Sequence, residues 1–165
     1  MKKGGELAVD DVCSDLKTCE LFNLLTDEEM MVLTGLLGDM CRRVTYQAGD
    51  HIFDQGELSS KLHVIVDGQV LLQRTVNLGD KTATRPLGLL GRGRAMGWSS
   101  LLYGPRYASA SAICRKSGEL VAIDGNKLRA VLEEHPVIGF KVMDRLACML
   151  GDRLRAAYNT MEAHL

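Results

Sequence analysis

The sequence lacks a large net charge of either sign and lacks any long hydrophobic run. Its 165 residues contain 20 lysines and arginines against 21 aspartates and glutamates, a formal net charge of −1. Without a basic excess the chain has no overall positive field to attract nucleic acid. No apolar run reaches membrane-spanning length, and Met1, Lys2 and Lys3 lead into Gly-Gly-Glu rather than the apolar core of a signal peptide. We therefore expect a cytoplasmic protein that does not bind membranes.

A compact set of cysteines is also lacking. Cys13 and Cys19 are separated by five residues and Cys41 lies far downstream, whereas an iron–sulfur cluster needs four thiolates, several of them closely spaced. The cysteines are therefore predicted to be reduced and buried. Haem needs only an axial ligand and stays open as an alternative, because a histidine or a cysteine could supply one. The candidate histidines are His51, His63, His135 and His164.

No catalytic arrangement of residues is recognisable. The sequence contains no Ser/His/Asp or Cys/His grouping in a local motif, and no two carboxylates stand in a context typical of acid–base catalysis. Asp27, Glu28 and Glu29 are better interpreted as first-turn charges that a helix dipole favours. We therefore predict that the chain is not an enzyme.

Length and composition predict one domain with three parts. A chain of 165 residues with 46% hydrophobic and 25% charged residues is ordinary for a globular domain. Residues from about 10 to 40 have a helical pattern, residues 41–123 have a strand pattern, and residues 124–165 are helical again. The predicted fold is mainly β with flanking α-helices.

The first part predicts two helices. Residues 15–21 are compatible with a short helix. Thr26 and Glu29 then form a capping box, with Leu25 and Met30 placed as a hydrophobic staple. The apolar face of this second helix is predicted to consist of Met30, Leu33, Leu36 and Leu37.

The second part predicts many short strands. Leu62, Val64 and Val66 alternate with the residues between them, and a hairpin turn is predicted at residues 77–80. This pattern favours an antiparallel sandwich or barrel. The residues predicted to supply positive φ angles or tight corners are Gly49, Gly56, Gly68, Gly93 and Gly97.

The third part predicts a short helix capped by Asp124 and a longer helix that starts at Pro136. A heptad-like apolar stripe on the long helix consists of Met143, Ala147, Leu150, Leu154, Ala157 and Met161. A second stripe consists of Val142, Leu146 and Met149. Two stripes indicate two partners, the sheet and a second copy of the chain; a single wide stripe facing the core is the alternative. Gly151 either weakens this helix or lets a neighbouring helix come close.

Residues 96–110 have the features of a phosphate-binding segment. Gly97 leads into a short helical turn, Gly104 and Pro105 form a bend that presents Arg106, and small or hydroxyl residues follow. A helix start offers unpaired N–H groups, and a guanidinium can bind a phosphate with its planar fork. The alternative interpretation is that Arg106 is a solvated surface arginine.

Three stretches extend this pattern over nearly the whole chain. Residues 49–57 (GDHIFDQGE), 62–70 (LHVIVDGQV) and 90–97 (LGRGRAMG) occur in the order and spacing of the cyclic-nucleotide-binding domain family, which the chain resembles over about residues 20–160. This family includes catabolite-activator type regulators and regulatory subunits of cyclic-AMP-dependent kinase. The resemblance implies an antiparallel jelly roll, a long carboxy-terminal dimerisation helix and a cyclic nucleotide as the possible effector. It also implies that Glu57 lies near the ligand pocket and can order Arg106.

One residue departs from the family pattern. The glutamate that binds the ribose 2′-hydroxyl is replaced by Trp98, and the interval to Arg106 is shorter. Since an indole cannot accept the hydroxyl's hydrogen bond as a carboxylate does, the phosphate half of the site can persist without the ribose half. Trp98 would then stack on a base or sugar, or fill the vacated space.

We therefore predict a sensor that binds a small phosphate-bearing, nucleotide-like effector and transmits its presence through a homodimer, in signal transduction or transcription regulation. The predicted ligand-binding residues are Gly97, Trp98, Ser99, Ser100, Arg106, Tyr107, Ser109 and Glu57. The alternative is a ligand-free or haem-sensing dimerisation module.

In the catabolite-activator branch a DNA-binding domain follows the last helix, but this sequence stops at Leu165 without a basic segment. We expect no DNA binding by this chain, which is either a sensor domain of a longer regulator or a standalone sensor.

Overall fold

The amino-terminal part forms two helices that pack on each other. In the computed structural model, which describes residues 9–163, α1 is Val9–Lys17 and α2 is Asp27–Leu37, followed by a 3-10 turn at Gly38–Met40. The expected helix over residues 15–21 is wrong. The helix ends at Lys17 because the Thr18 hydroxyl donates to the carbonyl of Asp15 (2.8 Å), and successive tight turns follow.

The capping box that begins α2 is confirmed. The Glu29 N–H donates to Thr26 Oγ1 (3.2 Å), and the Thr26 N–H donates to Glu29 Oε2 (2.9 Å). The predicted apolar face is wrong in one residue: Leu36 is 41% exposed, while the other three members are buried. Because successive residues turn about 100° around a helix axis, Leu36 lies outside the buried stripe.

Six antiparallel strands form one sheet. They are β1 (Cys41–Tyr46), β2 (His51–Phe53), β3 (Lys61–Asn77), β4 (Thr82–Leu90), β5 (Ala95–Met96) and β6 (Ser111–Asp124). The order along the hydrogen-bonded path is β1-β6-β3-β4, with β2 paired to β6 and β5 paired to β3. The predicted mainly antiparallel β architecture is confirmed. The sheet is not closed into a barrel, because β1 and β4 end the path and no pairing joins them within residues 9–163.

The predicted turns lie where glycine is needed. β3 ends at Asn77 and β4 begins at Thr82, and between them the Gly79 N–H donates to Asn77 Oδ1 (3.0 Å). The predicted corner glycines all have positive φ, a region that L side chains rarely adopt: Gly49 (94°), Gly56 (86°), Gly68 (93°), Gly93 (80°) and Gly97 (74°).

The sheet has an apolar core on each side. The larger core joins the helices to buried strand residues such as Leu62, Val64 and Ile123. The smaller one lies among residues of the sheet that include Ile65 and Val70. Because successive side chains of β3 point to opposite faces, this strand contributes to both cores and therefore fixes the helices relative to the candidate site.

Two helices complete the fold. α3 (Gly125–Glu134) is capped by Asp124, whose Oδ1 accepts from the Lys127 N–H (3.0 Å), and α4 spans Pro136–Glu162. One stripe of α4, Val142, Leu146 and Met149, is buried against the larger core. The heptad-like stripe that begins at Met143 is exposed except for half-buried Leu150. The alternative of one wide core-facing stripe is therefore wrong. No helix within the described part of the chain has a stretch long and apolar enough to cross a membrane.

An ion pair joins α4 to the start of α2 and makes a testable contribution to stability. Lys141 Nζ lies 2.7 and 2.9 Å from the two carboxylate oxygens of Glu29. Hydrogen bonds from the Lys141 side chain and from the Thr26 backbone hold the pKa of Glu29 below its ordinary value of 4.5. A carboxyl whose pKa is lower in the folded state stabilises the fold above its unfolded pKa and loses this contribution as pH falls through the folded pKa.

We therefore expect Glu29→Gln to flatten the loss of stability below pH 4.5 relative to wild type. Urea denaturation at a series of pH values between 7 and 3 measures this directly. Glu28→Gln is the matched control, since Glu28 is exposed and forms no ion pair within residues 12–163. The prediction is wrong if both variants follow the same pH profile.

Candidate functional site

The predicted phosphate-binding segment begins with a constrained glycine. Gly97 follows β5 with φ +74° and opens a 3-10 turn over Trp98–Leu101, in which the Ser100 N–H donates to the Gly97 carbonyl (3.1 Å). A Cβ at Gly97 would collide with the carbonyl oxygen of Lys61 on β3. Only glycine therefore lets this turn approach the sheet so closely.

The second half of the segment pairs with the loop that follows β2. The Gly56 N–H donates to the Ala108 carbonyl, the Ala108 N–H to the Glu57 carbonyl and the Ser59 N–H to the Arg106 carbonyl, each at 2.8 Å. This ladder places Glu57 opposite Ala108 and Arg106 opposite Ser59, with Leu58 and Tyr107 paired between them. Their side chains form no ion pair within the described residues. Instead Arg106 is exposed and its Nε donates to the Tyr103 carbonyl (3.2 Å).

Two adjoining cavities lie beside this segment. A smaller one of about 50 Å³ is lined by four of the predicted residues: Gly97, Trp98, Ser99 and Ser109. A larger one of about 190 Å³ is lined by residues that include Glu57 and His63. Phe53, Ser59 and Ala108 line both cavities. The structure therefore brings together five of the eight predicted ligand-binding residues around two adjoining cavities.

Three predicted residues lie outside both linings. The Ser100 side chain is 4% exposed and packs against Gly125, where a Cβ would meet it at 2.5 Å. Its N–H donates within the 3-10 turn, so it is not one of the unpaired N–H groups expected at the start of this helical turn. Arg106 and Tyr107 are exposed. Trp98 is half-buried and packs against the larger core while it lines the smaller cavity.

An arginine that the sequence reasoning missed lines the smaller cavity. Arg153, on α4, donates to the Ala95 carbonyl (2.8 Å) and lies 3.4 Å from a carboxylate oxygen of Glu20. Burial lowers the pKa of this guanidinium from its ordinary value. Glu20 also accepts from the Ala95 N–H (2.9 Å) and lies 3.3 Å from Arg94. The strand that leads into Gly97 is thus held between Glu20 and the carboxy-terminal helix.

A sequence signal for Arg153 did exist. It follows Val142, Leu146 and Met149 at steps of four, three and four, so it continues the buried stripe of α4. A charged residue on a buried stripe is informative because it must find a polar partner. Here the partners are Glu20 and the backbone of β5.

Within the described part of the chain, the residues considered for haem or a cluster form no group that could hold a metal ion. Burial raises the pKa values of Cys19 and Cys41 to about 12, so both thiols stay protonated. The ring of His63 is buried, with its centroid 5.8 Å from that of Phe53, and His51 Nδ1 is 2.6 Å from Asp54. Residues 12–163 contain no group of three histidine, cysteine or acidic side chains that could hold a metal ion. His164 lies outside the described residues.

Comparison with known proteins identifies the family. The chain matches the cyclic nucleotide-binding domain over residues 43–135, and it belongs to that family, whose domains are regulatory and non-enzymatic. Its fold is similar to that of the catabolite activator protein of Thermus thermophilus, with 33% identity and a TM-score of 0.67, over 87% of this chain and 62% of the other. This chain therefore spans less than two thirds of that protein's length.

Two further structures are similar in different ways. The amino-terminal domain of a transcriptional regulator from Streptomyces coelicolor A3(2) is 26% identical, with a TM-score of 0.65 and coverage of 83% of this chain and 92% of the other. A cyclic nucleotide-binding domain from Methylobacillus flagellatus has a TM-score of 0.79 over 99% of this chain and 89% of the other; at 18% identity it shows the shared fold. A comparison with curated proteins found no match.

Proposed function

We propose that residues 1–165 form one cytoplasmic sensor unit that binds a small phosphate-bearing, nucleotide-like effector and acts by binding rather than by catalysis. The observation that carries this proposal is the cavity beside Gly97, which is lined by residues that include Ser99, Ser109 and Arg153. Hydroxyl groups and a guanidinium fork suit an anion with several acceptor oxygens. The membership of the chain in a cyclic nucleotide-binding family supports the same ligand class.

Arg106 would complete the phosphate site from the rim. Its carbonyl accepts a hydrogen bond from the Ser59 N–H, which fixes its backbone, while its guanidinium donates to the Tyr103 carbonyl. Giving up that exposed hydrogen bond costs little compared with a charge-assisted bond to phosphate. The Ser109 hydroxyl and the backbone near Tyr107 would add contacts, and Glu57 lines the adjoining cavity.

Trp98 changes what the site can recognise. Trp98 lies where the cyclic-nucleotide-binding domain family has the glutamate that binds ribose, and it lines the smaller cavity. Its indole offers an apolar ring and a single N–H donor. A ligand in this cavity would therefore be recognised by its phosphate and by stacking, with little selection for a free 2′-hydroxyl.

The effector's presence would pass to a homodimer through α4. Arg153 lines the cavity and stands next to Leu154, which belongs to the exposed apolar stripe of the same helix. A ligand shifts such a helix only through a difference in its affinity for two states. The catabolite activator protein and the transcriptional regulator among the similar structures support an output in transcription regulation or signal transduction.

A ligand-free interaction module is the second candidate. It is favoured by the packing of Trp98 against the larger core, by the small volume of the cavity and by the exposed position of Arg106. In this case α4 would dimerise without an effector. Haem sensing is not favoured, because His63 is packed inside the protein.

A titration of tryptophan fluorescence tests the proposal, because Trp98 is the only tryptophan in the chain. Cyclic AMP, cyclic GMP and cyclic dinucleotides are added to wild type and to Arg106→Ala. We expect a saturable change in wild type and an affinity about thirtyfold weaker in the variant, the size of a lost charge-assisted hydrogen-bonded pair. Arg115→Ala, at an exposed position on β6, is the control for net charge.

Two results would contradict the proposal. One is the absence of any response to all the nucleotides, which would favour the ligand-free module. The other is a saturable response that is equally strong in wild type, Arg106→Ala and Arg115→Ala, which would place the nucleotide away from residues 96–110.

A further inference from the structure

The β3–β4 hairpin changes from apolar to cationic on its cavity side. Its antiparallel register pairs Leu72 with Gly88 and, further along the hairpin, Arg74 with Arg85. Leu72 lines the smaller cavity. Gly88 brings no side chain to this face, and the next cross-strand pair on the side of Leu72 is the pair of arginines.

Both arginines lie on the same face of the hairpin as Leu72. Side chains alternate along a strand, so residues 72 and 74 share a face at a separation of about 7 Å. The irregularity in the ladder falls on β4, where Leu87 has no partner, and it leaves the alternation of β3 uninterrupted. Residues directly opposite each other share a face, which puts Arg85 on the side of Arg74.

Hydrogen bonds hold this part of the hairpin beside the entrance of the smaller cavity. Arg74 Nη1 donates to the carbonyl oxygen of Ser109 (2.5 Å), and Ser109 lines the smaller cavity. On the neighbouring residue, the Thr75 N–H donates to Gln55 Oε1 (2.8 Å), and Gln55 Nε2 donates to the Thr75 carbonyl (3.1 Å). The arginine pair is therefore held beside the cavity by bonds to the two segments that border it.

The arginine pair has no counter-charge in the described part of the chain. Arg74 and Arg85 are both exposed, and neither forms an ion pair with a carboxylate among residues 12–163. Like charges directly opposite in an antiparallel pair are destabilising. Two planar guanidinium forks at one place are suited to the oxygens of a phosphate. Repulsion between Arg74 and Arg85 destabilises the hairpin beside the cavity, and an anionic group of a bound ligand would relieve this repulsion.

We propose that Arg74 and Arg85 form a second anion subsite, and that the effector is a nucleotide with two separated phosphates, of the dinucleotide class. This inference rests on the proposed function, since the first phosphate is the one bound between Ser99, Arg106 and Arg153. Ser109 joins the two subsites: it lines the cavity, and its carbonyl accepts the hydrogen bond from Arg74. A cyclic mononucleotide, with its single phosphate, leaves the arginine pair without a partner.

Matched nucleotides of one or two phosphates test this proposal. Trp98 fluorescence is titrated with cyclic GMP against cyclic di-GMP, and with cyclic AMP against cyclic di-AMP, so that each comparison keeps the base. We expect the better dinucleotide to bind wild type at least about tenfold more tightly than its mononucleotide. In the double variant Arg74→Gln, Arg85→Gln this advantage falls below about threefold. The ratio of the two affinities is the readout, because a nonspecific distortion of the cavity entrance would weaken the binding of both nucleotides by the same factor.

The controls separate this proposal from the one on which it rests. Arg115→Gln removes an exposed arginine elsewhere on the sheet and is expected to leave the ratio unchanged. The second subsite is overturned if wild type binds both members of each pair equally, or if the double variant keeps the full advantage. If no nucleotide gives a response even in wild type, the proposed function itself fails and the second subsite fails with it.

Discussion

Replacing Arg153 by methionine is expected to lower the free energy of unfolding by about 3 kcal/mol, the smaller end of the range for breaking a buried ion pair. The change leaves the carbonyl of Ala95 without its donor and Glu20 without one of its two cationic partners. Glu20 is mostly buried, with a side chain 15% exposed, so water replaces the lost partner poorly. Methionine keeps the length of the side chain, which isolates the loss of charge from the loss of volume.

Urea denaturation of wild type and Arg153→Met measures this effect, with Arg155→Met as the matched control. The side chain of Arg155 is 75% exposed and pairs with Asp152 on the surface, where such pairs contribute little. A double-mutant cycle with Glu20→Gln adds a specific test, since the two changes together should cost less than their sum. A loss in Arg153→Met within about 1 kcal/mol of that in Arg155→Met would contradict the structural role.

The same network gives α4 a direct connection to the site. Arg153 holds the strand that precedes Gly97, and Arg145 Nε donates to the backbone carbonyl of Glu20 (3.1 Å). A phosphate that drew the Arg153 guanidinium away from Ala95 would break the direct contact of α4 with the strand before Gly97. Arg153 therefore connects α4 to the site, because it lines the cavity and also binds the strand that precedes Gly97.

Features set by local interactions could be predicted from the sequence. The capping box of Thr26, the N-cap of Asp124 and the start of α4 at Pro136 each depend on groups within about four residues along the chain. The corner glycines are local as well, because the steric limit on positive φ is a property of one residue. Strand alternation likewise gave the antiparallel β architecture, since one side of each strand must face a core.

Features set by contacts between distant residues could not be predicted in the same way. Periodicity placed Leu36 on the buried face of α2, but burial depends on what packs against the helix. The end of α1 depends on a hydrogen bond of the Thr18 side chain that competes with the helix. Nor does the alternation of strands say whether a sheet closes, which requires pairing between β1 and β4 at the two ends of the path.

The candidate site shows the same division. Gly97, Trp98, Ser99 and Ser109 line one cavity; the first three are neighbours at the 3-10 turn, and Ser109 follows within the same short segment. The direction of the Arg106 side chain depends on its hydrogen bond to Tyr103, which the motif does not encode. Arg153 lies more than forty residues beyond the motif, and only the packing of α4 brings it to the cavity.

The second large effect concerns dimerisation through the exposed heptad-like stripe of α4. A strict spacing of four and three is typical of a seam between two helices, and Leu154 in its centre is 52% exposed. The resemblance to catabolite-activator type regulators implies a parallel pair of these helices. In a symmetric parallel pair each stripe residue faces its own copy, so one substitution changes both sides of the seam.

We therefore expect Leu154→Glu to raise the dimer dissociation constant about a thousandfold, or about 4 kcal/mol, because it places two carboxylates opposite each other in an apolar seam. Sedimentation equilibrium measures the change against the 18.1 kDa mass of one chain. Ala156→Glu is the matched control, since it adds the same carboxylate two residues away on an exposed position outside the stripe. Because Leu154 is exposed in the single chain, the urea midpoint measured at concentrations where both proteins are monomeric should stay unchanged.

The two variants together locate the interface rather than only detecting it. A dimer that survives Leu154→Glu, or one that both variants disrupt equally, would contradict assembly through this stripe. Loss of the dimer in Leu154→Glu alone would fix the seam on the side of α4 that turns away from the larger core. Arg153, about 100° around the helix axis from Leu154, would then lie between the cavity and the second copy of the chain, where a bound phosphate can alter the position of the seam.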